Sequence, residues 1–131
     1  MKGFLLCLSG VCLLVFCSCG KVDKNGELGG FWKLVEVEYV ADGSKKDYSN
    51  SCLFMAVQLE LMEFRGNGSH FARFRHDGDS LFIQMIGNNA DDKLLKSFGL
   101  DGQRQCFFVR KLNGKGLIIE SIYSKLKFIK Y

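Results

Sequence analysis

Leu117-Ile118-Ile119-Glu120 and, after a break at 121–124, Lys125-Leu126-Lys127-Phe128 decide the fold class. Leu117 and Ile119 alternate against Ile118 and Glu120, and Leu126 and Phe128 against Lys125 and Lys127. A period of two marks a strand with one buried face, because successive side chains point to opposite sides. Upstream, Val57, Leu59 and Leu61 alternate with Gln58 and Glu60 in the same way. Strands are expected at 31–40, 54–65, 71–76, 80–86, 105–112, 117–122 and 125–131. The dipeptides Asp42-Gly43, Asn67-Gly68, Asp77-Gly78, Asp101-Gly102 and Asn113-Gly114 suit the positive φ angles of tight turns between them. Only 90–98 reads as a helix, with Leu94, Leu95 and Phe98 on one face, Asn89 as its cap and Gly99 as its end. The fold class is therefore all-β, a small antiparallel up-and-down barrel with one short helix. Closure is expected because an open meander would leave sheet edges free to pair with other chains. Seven strands do not close antiparallel. Either one long bent strand serves two sheets, or an eighth lies near 48–52.

The amino end has a different character. Met1-Lys2-Gly3 precedes an apolar run from Phe4 to Phe16, broken only by Ser9 and Gly10, which is the layout of a secretory signal. The run falls short of the roughly 20 residues a spanning helix needs. It ends in Cys17-Ser18-Cys19-Gly20, which resembles the lipobox of bacterial lipoproteins. Cys19, between two small residues, is the expected lipidation site, since bulky Phe16 precedes Cys17. The expected organisation is a signal peptide at 1–18, a lipidated cysteine and tether at 19–29, and a β-barrel domain at 30–131. The resemblance implies several acyl chains on Cys19, enough for stable anchoring. With glycine rather than aspartate after the cysteine, it implies the outer membrane, facing either the periplasm or the cell surface.

Removing the leader takes Cys7, Cys12 and Cys17 with it and lowers the formal charge from +4 to +3 by the loss of Lys2. Cys52 and Cys106 remain, either as a disulfide, which an exported compartment permits, or as two buried thiols. Charges of both signs are interspersed, which is an ordinary protein surface and points to no nucleic-acid partner.

Gly30-Phe31-Trp32 at the start of the first strand matches the glycine–any–tryptophan signature of lipocalins and their avidin and fatty-acid-binding relatives. The chain resembles the lipocalin-like lipoproteins of Bacteroidota, whose functions are generally unknown. In that family the tryptophan packs across one end of the barrel under a basic side chain from the last strand. Gly30 and Trp32 with Lys127 or Lys130 would take those parts, a structural role that closes the barrel.

The residues offer little catalytic chemistry. Ser69, His70, His76 and Asp77 lie along one expected strand and hairpin, without the glycine pattern of a nucleophile elbow. His70, His76, Cys52 and Cys106 lack metal-ligand spacing, so neither metal nor cofactor is expected. Arg73 and Arg75 share one face of a strand and are a candidate anion-binding pair. The expected function is therefore non-enzymatic: a lipid-anchored protein holding a small, mostly apolar ligand in the barrel mouth. Val57, Leu59, Leu61, Phe74, Leu81, Ile83 and Phe108 are the candidate walls. The alternative is a filled barrel serving as an envelope protein–protein interaction module, a complex subunit or a protease inhibitor. The connections at 41–51 and 88–105 would then form its recognition surface. Twelve phenylalanines, of which Phe4 and Phe16 lie in the leader, suffice to fill an eight-stranded interior.

Overall fold

A computed structural model describes residues 25–87 and 93–131. The expected signal peptide, Cys19, most of the tether and the Asn89 cap lie outside these residues. Among the described residues a 3-10 turn, Gly26–Leu28, leads into nine strands and one helix. The strands are β1 (Gly30–Tyr39), β2 (Lys45–Asp47), β3 (Phe54–Gln58), β4 (Leu61–Arg65), β5 (Ser69–Asp77), β6 (Ser80–Met85), β7 (Arg104–Leu112), β8 (Gly116–Glu120) and β9 (Ser124–Lys130). The helix, α1 (Lys93–Ser97), lies between β6 and β7. Neighbouring strands pair antiparallel in the order β2-β1-β3-β4-β5-β6-β7-β8-β9, and β9 pairs back onto β1. Eight strands thus close an up-and-down barrel, with β2 as an extra strand along the second half of β1.

The even strand number comes from a turn absent from the sequence-based expectation. The expected single strand 54–65 is a hairpin, in which Gln58 pairs with Leu61 and Val57 with Met62. Leu59 occupies the turn with φ +54°, the left-handed region usually filled by glycine or asparagine. The two-residue turn also resets the alternation. Val57 and Met62 face inward, and Leu61 is carried to the outside. On the other side of β1, the pairing with β9 shifts register between Leu34 and Glu36. This bulge bends the strand, so that its first half pairs with β3 and its second with β2.

The inward faces form one continuous apolar core. Trp32, Leu34, Val37, Met55, Met62, Phe64, Ala72, Leu81, Leu117 and Ile119 have no exposed surface. Phe107, Leu126 and Phe128 are each about 99% buried. The two ends of the barrel are closed by different means.

At the floor, the 3-10 turn tucks Leu28 beneath the strands, and the Trp32 indole Nε1 donates to the Leu28 carbonyl at 2.7 Å. The end of the expected tether therefore supplies the floor with a core residue, Leu28, and with an acceptor for Trp32. At the mouth, α1 carries Leu95 inward, and Phe98 and Leu100 follow it, all buried. Gly99 ends the helix in the left-handed region with φ +70°. Its N–H bonds to Lys96 O at 2.9 Å and that of Leu100 to Leu95 O at 3.1 Å, the paired bonds of a Schellman cap. A β-carbon at Gly99 would come within 2.9 Å of the Leu126, Ser124 and Val37 side chains. Both its backbone angle and its surroundings demand glycine.

Candidate functional site

The floor explains the Gly30-Phe31-Trp32 motif in physical terms. Lys130 Nζ stands 4.5 Å from the centre of the Trp32 ring. It also donates to the Glu27 carbonyl at 3.3 Å and to that of Gly29. Gly30 has φ +117°, and a β-carbon there would meet Lys130 Nζ at 2.8 Å, so the lysine can reach the indole only past a glycine. Lys127 is outward and exposed. In β9, Leu126, Phe128 and Lys130 share the inner face, which assigns the covering role to Lys130 alone.

The expected wall residues do not line a common pocket. Val57, Leu81 and Ile83 are inside, at most 3% exposed and packed into the core, with Phe74 half-buried beside them. Leu59 and Leu61 are exposed at the β3–β4 turn, displaced by the phase reset described above. Phe108 is also outward, since Phe107 and not Phe108 takes the inner face of β7. The mouth is occupied by Phe98, whose ring meets Phe64 edge-on at 5.1 Å. The 88–105 connection is therefore not a free loop along its described part, because α1 and its cap plug the barrel.

Cys52 and Cys106 are exposed free thiols. Cys52 precedes β3 and Cys106 sits in β7, four places away in a ring of eight strands. The two cysteines are on opposite walls of the barrel, and a disulfide requires α-carbons within about 7 Å. His70 and His76 do not converge with either cysteine. Among the described residues no three His, Cys, Asp or Glu side chains could jointly hold a metal ion.

The depressions lie on the outer surface. A groove of about 590 Å³ crosses β5, β6 and β7, bordered by Arg73, Arg75, Phe82, Gln84, Arg104 and Cys106. Strand register assembles it. Arg73 pairs with Gln84 and Gln84 with Arg104, while Arg75 pairs with Phe82 and Phe82 with Cys106. The outward side chains thus form two adjacent rows across three strands. The Arg75 guanidinium stacks on the Phe82 ring at 4.7 Å, which holds the fork in place over an apolar platform. A second depression, of about 470 Å³, borders the other side of Arg73 and Arg75 and includes Asn25, Leu59 and Glu60. Arg73 and Arg75 share the face that alternation assigned to them. Arg104, Gln84 and Phe82 were missed; the signal that could have found Arg104 was its alternation in phase with Cys106 and Phe108, two and four residues on.

Residues 13–131 match the lipocalin-like domain family. The chain belongs to that family. Its fold is similar to that of a lipocalin-like protein from Bacteroides uniformis ATCC 8492, with a TM-score of 0.69 and 23% identity over 81% of this chain and 100% of the other. It is also similar to an uncharacterized protein from Bacteroides eggerthii DSM 20697, with a TM-score of 0.63 and 19% identity over 79% of this chain and 98% of the other. No curated protein matches the chain. The chain is thus a lipocalin-like protein of the kind found in Bacteroidota, and the likeness carries the fold rather than a ligand.

Proposed function

We propose that this lipocalin-like chain is a non-enzymatic binding protein of the cell envelope that works through the outside of a filled barrel. One observation carries the reading. From Trp32 at the floor through Phe64 to Phe98 at the mouth, the axis of the barrel is occupied by side chains with no exposed surface. Interiors at this density leave no room for a ligand without moving the core. The reading of a small apolar ligand in the mouth is weakened by the same residues, while the outer grooves are open to a partner. In this reading Cys19 carries the lipid and holds the domain at the outer membrane.

Native mass spectrometry of the chain from Gly20 to Tyr131, gently purified from its own host, tests the reading. The expected result is the bare protein mass, with no uptake of fatty acids or other apolar molecules. A co-purifying apolar molecule that shifts the NMR signals of Val57, Ile83 and Phe74 would overturn it. Metabolic labelling with a fatty acid tests the anchor: label and membrane association are both expected to vanish in Cys19→Ala.

A further inference from the structure

The chain has five arginines, Arg65, Arg73, Arg75, Arg104 and Arg110. Two of them have carboxylate partners. Arg65 Nε lies 3.7 Å from Glu63 Oε2, and Arg110 Nε lies 3.1 Å from Glu120 Oε2. The other three have no ion pair among the described residues, and all three border the groove on β5, β6 and β7. Arg73 and Arg104 flank Gln84 in one row, their α-carbons about 9.5 Å apart by strand spacing. Arg75 is two residues from Arg73 on the same face, about 7 Å away. The carboxylate-bearing Glu60 lies in the depression on the far side of Arg73 and Arg75.

We propose that this triangle of guanidinium groups is a binding site for a phosphate-bearing anion. Guanidinium forks match phosphate oxygens in pairs, and Gln84 sits between two of the forks as an amide donor. The Phe82 ring under Arg75 keeps that fork extended across the groove. Such spacing suits an anion with at least two charged oxygens that bridges neighbouring strands. The chemistry has two sources, a phospholipid headgroup or a free phosphate compound. The position of the site bears on the choice. Asn25 borders the neighbouring depression and is six residues from Cys19, a reach of about 20 Å. The inference deepens the outer-surface reading and rests on it.

The test uses the chain from Gly20 to Tyr131, whose described part closes its own barrel and which carries no lipid. Sodium pyrophosphate is titrated calorimetrically at low salt, and sedimentation is measured with vesicles of phosphatidylcholine containing phosphatidylglycerol. Binding of either probe is expected, with pyrophosphate alone identifying a free phosphate source and vesicles alone a headgroup. Arg73→Gln, Arg75→Gln and Arg104→Gln are each expected to weaken binding roughly tenfold, as befits one charged hydrogen bond. Arg65→Gln, at the end of β4, paired to Glu63 and outside the groove, should leave affinity unchanged. Because the three arginines are exposed, unfolding curves of all four variants should match the parent. Binding that survives the triple arginine replacement, or failure of both probes to bind, overturns the proposal. Either result leaves the filled-barrel reading intact, since that depends on an empty or occupied interior.

Discussion

Replacing Phe98 by alanine removes the plug at the barrel mouth and measures how solid the interior is. Phe98 has no exposed surface, and its ring sits 5.1 Å from that of Phe64 at an interplanar angle of 69°. Losing the transfer of the ring from water costs about 2–3 kcal/mol. A residual cavity of roughly 100 Å³ adds about 2 kcal/mol at ~24 cal/mol per Å³. The edge-on ring contact contributes about 0.5–1.5 kcal/mol more. The result belongs near the top of the range of about 3–5 kcal/mol typical of buried Phe→Ala changes. For a domain of this size it lowers Tm by roughly 20 °C. Urea unfolding followed by the fluorescence of Trp32, the single tryptophan, gives the free energy directly. Toluene supplies a second measurement, because a dry apolar cavity takes up small aromatics and the variant alone should then regain stability. A loss below about 1.5 kcal/mol without a toluene effect would refute the reasoning. It would mean that α1 is a lid over existing space, and the apolar-ligand reading would return.

Gly99→Ala is expected to cost about 2–4 kcal/mol in urea unfolding, since it combines an unfavourable backbone angle with contacts below 3 Å to Leu126, Ser124 and Val37. Lys130→Met keeps an apolar stem over Trp32 but loses the bonds to the Glu27 and Gly29 carbonyls. It should destabilise by about 1–2 kcal/mol and shift Trp32 emission, whereas Lys127→Met should stay within about 0.5 kcal/mol. Asp42 and Asp47 accept the backbone N–H groups of Ser44 at 3.0 Å and Ser49 at 2.8 Å. The Ser44 backbone bond at Asp42, and the Ser49 side-chain and backbone bonds at Asp47, hold both carboxylates below their ordinary value of 3.8. Their stabilising effect is thus fully present above that value and lost as pH falls through the lower folded-state values. Acid unfolding of the Asp42→Asn/Asp47→Asn variant should therefore depend less steeply on pH below about 4.

The barrel was legible wherever a strand has one wet face. In β8 and β9, Leu117, Ile119, Leu126 and Phe128 are inward as the alternation indicates. Gly99 was legible as a helix end because only glycine accepts that angle cheaply. The turn between β3 and β4 was not, since Leu59-Glu60 carries none of the residues that usually mark positive φ. That single turn misassigned Leu59 and Leu61 and cost one strand in the count. The extra strand β2 was hidden for another reason. Lys45, Lys46 and Asp47 are all exposed and pair only with β1, so no apolar period reveals them. Arg104 could not be placed beside Arg73 because the long connection through α1 conceals the register of β7 against β6. Pairing across strands is fixed by tertiary closure, and one strand's own sequence does not contain it.

The distribution of charge on the wall bears on function more than the family likeness does. Opposite charges directly facing one another across strands contribute about 0.2–1 kcal/mol per pair. The chain has 14 acidic residues, and it places two of them, Glu63 and Glu120, within reach of Arg65 and Arg110. Between Arg73 and Arg104 it places Gln84 instead, where a glutamate of nearly the same shape would neutralise the row. A barrel already filled by Trp32, Phe64 and Phe98 gains no core stability from that neutral side chain, so folding alone does not account for it. An anion that arrives from outside does. Gln84→Glu separates the two accounts: it should raise thermal stability slightly at low salt while abolishing pyrophosphate and vesicle binding. An unchanged affinity in that variant would leave the unpaired arginines as an ordinary hydrated surface.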